Sequence, residues 1–195
     1  MWLFFIGYFH VLRHPVRPVT EMPLTPLDQW VTFEPLALVA YVSLWVYVGI
    51  PAGLLPSVRQ LVVYGLWVGA LCTTGLVGFY AFPTAVPQPF LPVDVALYPG
   101  FALLQGVDAA GNACPSLHVA TALFSACWLD RLLRQYAAPW QPRTLNALWV
   151  MLIIYSTMAI KQHVALDVAG GALLALLFVW PSMRWFPAND EEAAR

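Results

Sequence analysis

The sequence is short of charge. Only 10% of its 195 residues are Asp, Glu, Lys or Arg, a single lysine is present, and the formal net charge is −1. Ordinary soluble chains carry about 25% charged residues. The isoelectric point near 6.4 leaves no basic footprint for nucleic acid, so a nucleic-acid partner is not expected. Cysteine is equally sparse. Cys72, Cys114 and Cys127 are widely spaced and form neither a disulfide framework nor a zinc pattern. The opening Met1–Phe9 has no basic region and no small-residue cleavage site after it, so a secretory signal peptide is not expected and the first span is expected to do the targeting.

What is abundant is apolar surface. Hydrophobic residues make up 61% of the chain, and the mean hydropathy is +0.70. A soluble sphere of this size could not bury so much, and the excess would be a large aggregating patch. The composition excludes a cytosolic enzyme and a disordered tail, and predicts that lipid is the main solvent.

The hydrocarbon core is about 30 Å thick, so a spanning helix needs about 20 mostly apolar residues. Five segments are predicted to span: Pro35–Leu55, Leu61–Phe82, Ser116–Leu133, Leu145–Gln162 and Val164–Met183. Helix is expected because an unpaired strand cannot satisfy its backbone in a bilayer. Met1–Leu12 is apolar but reaches only about 18 Å at helical rise; it is a candidate partial span or an interfacial helix. The expected fold is therefore an all-α, polytopic membrane helical bundle with five clear transmembrane helices and a short N-terminal candidate sixth. No linker or repeat interrupts it, so residues 1–195 read as one domain. Oligomeric state is not legible, since a packing face and a lipid face look alike here.

Alternating connections put Arg13, Arg17, Lys161 and the loop Pro83–Ala113 on one side. Arg59, Arg131, Arg134, Arg143, Arg184 and Arg195 fall on the other. The loop contains no Lys or Arg. The positive-inside rule then places the Arg-rich side in the cytoplasm, with Trp128, Trp140, Trp180 and Trp185 as an aromatic belt at that boundary. The expected location is a bacterial inner membrane, with the opposite face outward.

The residues with chemical potential converge on that outward face. Asn112-Ala113-Cys114-Pro115-Ser116-Leu117-His118 runs into the third span. Proline suits a first helical turn, Asn112 or Ser116 can cap it, and free N–H groups around Ser116 to His118 can hold an anion. Alone, a capped helix start with an interfacial histidine is the plainer reading. The second cluster runs from Ser156 to Asp167. His163 and Asp167 are four apart, within reach on one helix face, and a carboxylate at a membrane edge is costly enough to point to function. A structural His–Asp tether would account for that pair alone. Together the clusters say more. His118 and His163 are 45 residues apart, one helix in and one helix back, so both return to the same face. Two histidines, one with an Asp partner and one at an anion-binding helix start, suit phosphoryl transfer. Lys161 could carry phosphate charge, or it could snorkel to headgroups.

Pro115-Ser116-Leu117-His118 resembles the Pro-Ser-Gly-His motif of the type 2 phosphatidic acid phosphatase (lipid phosphate phosphatase) superfamily. Ser156, followed by His163 and then Asp167, resembles its Ser-Arg-x5-His-x3-Asp motif. The resemblance implies a helical bundle and metal-independent chemistry through a phosphohistidine, without a cofactor. It assigns His163 as nucleophile, Asp167 as its orienting partner and His118 as general acid. The implied substrate is a lipid phosphate, met among membrane lipids. The sequence departs from the family where phosphate is gripped. The first motif's basic residues are absent, with Phe82-Pro83-Thr84-Ala85-Val86-Pro87-Gln88-Pro89 in their place, and Thr157 stands where the third motif has arginine. Candidate phosphate ligands are then Ser116, Lys161, Gln88 and Ser156. So light a clamp suits a phosphodiester or a singly charged phosphoester. The Phe-Pro-Thr-Ala segment, Pro-Ser-Leu-His and Lys-Gln-His look similar to the inositolphosphotransferase-like branch, in which an alcohol can accept the phosphoryl group.

Other classes fit less well. A Gly-x-Ser-Gly nucleophile is absent, and Asp94, Asp108, Asp130 and Asp167 are too scattered for a metal-dependent alcohol transferase. Cys114 has Ala120 where a cysteine phosphatase needs arginine. A zinc site of His118, His163 and Asp167 is chemically allowed but undiagnostic in spacing. A transport or lipid-binding protein that lost its clamp is the non-enzymatic alternative.

Overall fold

The structure, a computed structural model, describes residues 2–87, 100–101 and 111–186. Apart from two strands of two residues each, its regular elements are helices: α1 (Trp2–Arg13), α2 (Pro26–Trp30), α3 (Ala37–Tyr47), α4 (Ile50–Gly53), α5 (Val58–Ala81), α6 (Leu117–Gln135), α7 (Trp140–Ala159) and α8 (Ala165–Arg184). The strands β1 (Thr20–Glu21) and β2 (Thr84–Ala85) pair in parallel, Thr20 opposite Thr84.

Two of the expected spans, α5 and α8, are helices long and apolar enough to cross a membrane, each with a mean hydropathy of 1.7 over its best stretch. At 1.5 Å per residue they reach about 36 and 30 Å. Helices α6 and α7 have comparable length, but Asp130, Arg131, Arg134 and Arg143 lie within them and dilute their apolar character. The expected span Pro35–Leu55 is not one helix. Its hydrogen-bond ladder tightens at Gly49, whose N–H bonds Val46 three residues back, and a four-residue helix follows. Pro51 is the cause: it has no N–H to give Tyr47, and its ring crowds that carbonyl.

Helix α6 is the axis of the bundle. It packs against α8, α7, α5, α4 and α3, and Val119, Ala120, Ala122, Phe124, Ser125, Ala126, Trp128, Leu129 and Leu132 are buried along it. The helices around it turn large apolar side chains outward, among them Val39 and Val46 on α3, Leu66 on α5, Leu148 and Met151 on α7, and Leu173 and Leu177 on α8. Such a belt has no stable place in water and suits hydrocarbon. Several polar groups inside are bonded to one another or to the main chain. Tyr47 donates to the Asn146 side chain at 2.5 Å, Asn146 donates to the Ala126 carbonyl at 3.0 Å, and the Trp128 indole donates to Ser182 at 3.0 Å.

The start of α6 lies directly on α8. The Ser116 N–H donates to the Asp167 carbonyl at 3.1 Å. This approach needs glycine beneath it: a Cβ at Gly171 would strike the Ser116 carbonyl oxygen, and one at Gly170 would sit 3.0 Å from the Cys114 sulfur. Gly171→Ala is therefore expected to lower stability by about 2 kcal/mol through overpacking. Gly65→Ala, where the space is open, should be neutral or stabilise by up to about 1 kcal/mol. Thermal unfolding of the two variants in detergent checks the contrast.

Candidate active site

Three segments meet at the end of the bundle where α6 and α8 begin and α7 ends. The first is the chain entering α6. Thr84 holds it from β2: its hydroxyl accepts from the Cys114 N–H at 2.8 Å and its carbonyl from the Ala113 N–H at 3.0 Å. Ser116 then caps α6, its hydroxyl accepting from the Val119 N–H at 3.2 Å. The N–H groups of Leu117 and His118 meet no acceptor among the described residues, which leaves two donors at the positive end of a 19-residue helix. His118 is the second residue of that helix. Its Nε2 lies 3.0 Å from the Tyr41 carbonyl, and its ring stacks on Tyr41 with centroids 3.9 Å apart. A carbonyl only accepts, so Nε2 carries the proton and Nδ1 is the nitrogen left to exchange one.

The second segment is the turn from α7 to α8. Lys161 adopts φ 61°, the left-handed conformation that more often calls for glycine. With it, the Lys161 N–H returns to the Met158 carbonyl, and the N–H groups of Gln162 and His163 both return to Thr157. This is the six-to-one and five-to-two closure that ends a helix sharply, and it delivers His163 outside the helix. The expected placement of His163 and Asp167 on one helix face is thus corrected: α8 begins at Ala165. The two side chains approach because Asp167 turns back toward the start of its own helix, accepting from the Val164 N–H at 3.0 Å. His163 Nδ1 then lies 3.6 Å from the same carboxylate oxygen. That is longer than a hydrogen bond. His163 Nδ1 and the other Asp167 oxygen are both buried and lack a hydrogen-bond partner among the described residues, as in catalytic pairs that tighten when substrate arrives. Asp167 is fully buried and His163 8% exposed.

The third segment, residues 25–41, contains none of the site residues expected from the sequence. Asp28 is buried at the start of α2. One carboxylate oxygen accepts from the Thr25 N–H and hydroxyl at 2.7 and 2.8 Å; the other accepts from the Ala165 N–H at 2.7 Å, across to α8. The Lys161 ammonium donates to the carbonyls of Asp28, at 3.2 Å, and Val31. In this connection between helices burial pushes Lys161 below its ordinary pKa, against the opposing pull of Asp28. The Glu34 N–H donates to the Ala159 carbonyl at 3.0 Å, and Tyr41 completes the set at His118. A visible signal did exist: Thr25-Pro26-Leu27-Asp28 has the spacing of a helix-capping turn, and a carboxylate is rare in so apolar a chain.

Of the residues expected from sequence, His118, His163, Asp167, Ser116 and Lys161 share this end of the bundle. Ser116 spends its oxygen on the cap, and Lys161 directs its ammonium to backbone carbonyls. Ser156 is fully buried within α7 and donates to the Ile153 carbonyl at 2.6 Å. Gln88 lies outside the described residues. The arrangement can hold an anion at the α6 start, between an imidazole backed by a carboxylate and a second imidazole with a free nitrogen.

Residues 68–191 match the family model of the PAP2 superfamily. No curated protein and no solved structure matches the chain. The matched stretch holds both histidines and Asp167 and stops short of residues 25–41.

Asp28→Ala should cost about 2 kcal/mol, because it strips an acceptor from the first turn of α8 and undoes a capped turn. Asp28→Asn, with one accepting oxygen instead of two, should fall between it and the parent. Thermal unfolding, with amide exchange followed at Ala165, measures both.

Proposed function

The chain belongs to the PAP2 superfamily, and we propose that it is a multi-pass membrane phosphoesterase that acts on a lipid phosphate through a phosphohistidine. Its outward apolar belt and the two long apolar helices support the membrane reading. The superfamily as a whole supports phosphatase-type, generally metal-independent chemistry on lipid phosphates. The observation that carries the assignment of roles is the seating of Ser116 on α8, which draws the start of α6, with His118, against the turn holding His163 and Asp167.

In the proposed reaction the phosphate of a lipid enters from the bilayer and rests at the α6 start, where the N–H groups of Leu117 and His118 face it. Asp167 engages His163 Nδ1–H and leaves Nε2 unprotonated to attack phosphorus in line. As the bond from Nε2 to phosphorus forms, the bond from phosphorus to the lipid oxygen breaks. His118, protonated, gives its proton to the departing alkoxide. Neutral His118 then takes a proton from water, and the resulting hydroxyl oxygen attacks phosphorus and frees His163. Asp167 stabilises the positive imidazole of the intermediate, as a buried carboxylate beside a histidine does. The helix N–H groups meet the negative charge on the equatorial oxygens.

The low charge of the site favours a second reading of the acceptor. No Lys or Arg occurs in Pro83–Ala113, and Lys161 is already engaged by two carbonyls. A singly charged phosphodiester suits such a site better than a dianionic monoester, and an alcohol in place of water would make the enzyme a headgroup transferase. Orientation with the histidines outward, as the arginine distribution suggests, would place the reaction in the outer leaflet.

Purified protein incubated with lipid phosphates, with and without candidate alcohols, separates these outcomes. Phosphate release without alcohol marks hydrolysis; headgroup exchange with little release marks transfer; no change in any lipid would leave a binding role. His163→Ala is expected to lower turnover at least about a thousandfold, while a fully active variant would remove it as nucleophile. Asp167→Asn should lose about a hundredfold or more with the fold kept, since its amide oxygen can still accept from Val164. EDTA should leave activity unchanged.

A further inference from the structure

At the end of the bundle opposite the histidines, α6 leaves a gap between its neighbours. Helices α7 and α8 each pack on α6 but make no comparable contact with one another. The gap is a groove of about 710 Å³. Its inner part is apolar, floored by Leu123 and walled by Val150 of α7 and Val179 of α8. Its mouth is cationic, ringed by Arg131, Arg134 and Arg143 with one carboxylate, Asp130. His118 and Arg134 stand 16 residues apart on one helix, about 24 Å, so this mouth lies near the far membrane boundary.

The three guanidiniums are arranged unequally. Arg131 is committed: it donates to the Met183 carbonyl at 2.7 Å and sits over the rings of Trp128 and Phe186 at 5.0 and 5.6 Å. Arg134 and Arg143 share Asp130, each through Nε alone, at 2.7 and 2.8 Å. One carboxylate thus fixes two arginines side by side. The terminal nitrogens of both have no hydrogen bond among the described residues, and of the five N–H donors of a guanidinium all but the one on Nε lie on those nitrogens. Among the described lining residues, three cations face one anion at the opening of an apolar slot.

We propose that this groove binds an anionic phospholipid, its phosphate held by the terminal nitrogens of Arg134 and Arg143 and an acyl chain lying along Leu123, Val150 and Val179. The charge at the mouth selects the headgroup, and basic pockets between membrane helices recognise lipid in this way. The apolar bed selects a lipid over a free anion. The site is separate from the histidine centre and independent of what that centre does.

Native mass spectrometry of the detergent-solubilised full chain tests this, with dioleoyl-phosphatidylglycerol and dioleoyl-phosphatidylcholine as probes. The expected result is a retained phosphatidylglycerol adduct and little phosphatidylcholine. The double variant Arg134→Gln, Arg143→Gln should lose that preference by about thirtyfold. Ala147→Trp, at an exposed position on the groove wall, keeps the charges and fills the slot, and should also release the lipid. Millimolar inorganic phosphate should not displace it. Equal retention of the two lipids would overturn the proposal. So would an adduct untouched by both variants, displacement by phosphate alone, or a dimer whose second copy excludes lipid from the groove.

Discussion

One backbone contact organises the histidine end of this molecule: the Ser116 N–H against the Asp167 carbonyl, made over a glycine surface on α8. It is a short-range interaction with long-range consequences. Ser116 caps the helix that begins with Leu117 and His118, and Asp167 turns its side chain toward His163. The same hydrogen bond therefore registers one motif against the other. Because both groups are buried, neither could be released to water cheaply, and any side chain at Gly171 would hold the two helices apart.

The remaining architecture follows from the enclosure of α6. A helix surrounded on all sides can bury Trp128 and Phe124, and Asn146 of α7 is buried against it, with partners inside for the Trp128 indole and the Asn146 amide. Those partners come from Tyr47, Ala126 and Ser182 on three different elements. The helices around α6 keep their apolar residues on the outside as well as the inside, as they must when hydrocarbon rather than water bathes the surface. Polar side chains thus gather in the core and at the two ends, and the apolar belt lies between.

Much of this was legible in the sequence, and the failures have physical causes. The ends of α6 and α8 lie close to the expected positions because Ser116 is a good cap and apolar runs in lipid have little choice but helix. His118, His163 and Asp167, which share one end of the bundle, stand out in the sequence by residue type and order. The break near Gly49 was written as Gly-Ile-Pro but was outweighed by the length of the apolar run. The geometry of His163 was misread because four-residue spacing suggests a helix face, whereas a lysine in a left-handed conformation ends α7 before it. Nothing local distinguishes Lys161 from a residue that continues a helix; its ammonium is held by carbonyls 130 and more residues away in the chain. Asp28 and Tyr41 were missed for the same reason, since their partners Ala165 and His118 are 137 and 77 positions distant.

The segment spanning residues 25–41 touches the site mostly through its main chain. The carbonyls of Asp28 and Val31 receive Lys161, the carbonyl of Tyr41 receives His118, and the Glu34 amide reaches Ala159. Every residue has a carbonyl, and all but proline have an amide hydrogen. Apart from Asp28 and the stacked ring of Tyr41, side chains here can be exchanged over evolutionary time without breaking the contacts. Such a segment can hold its shape while its letters drift, and so leave little trace for similarity to detect. It is also free to change the side chains it presents beside the histidines while the main-chain contacts that hold it there stay constant.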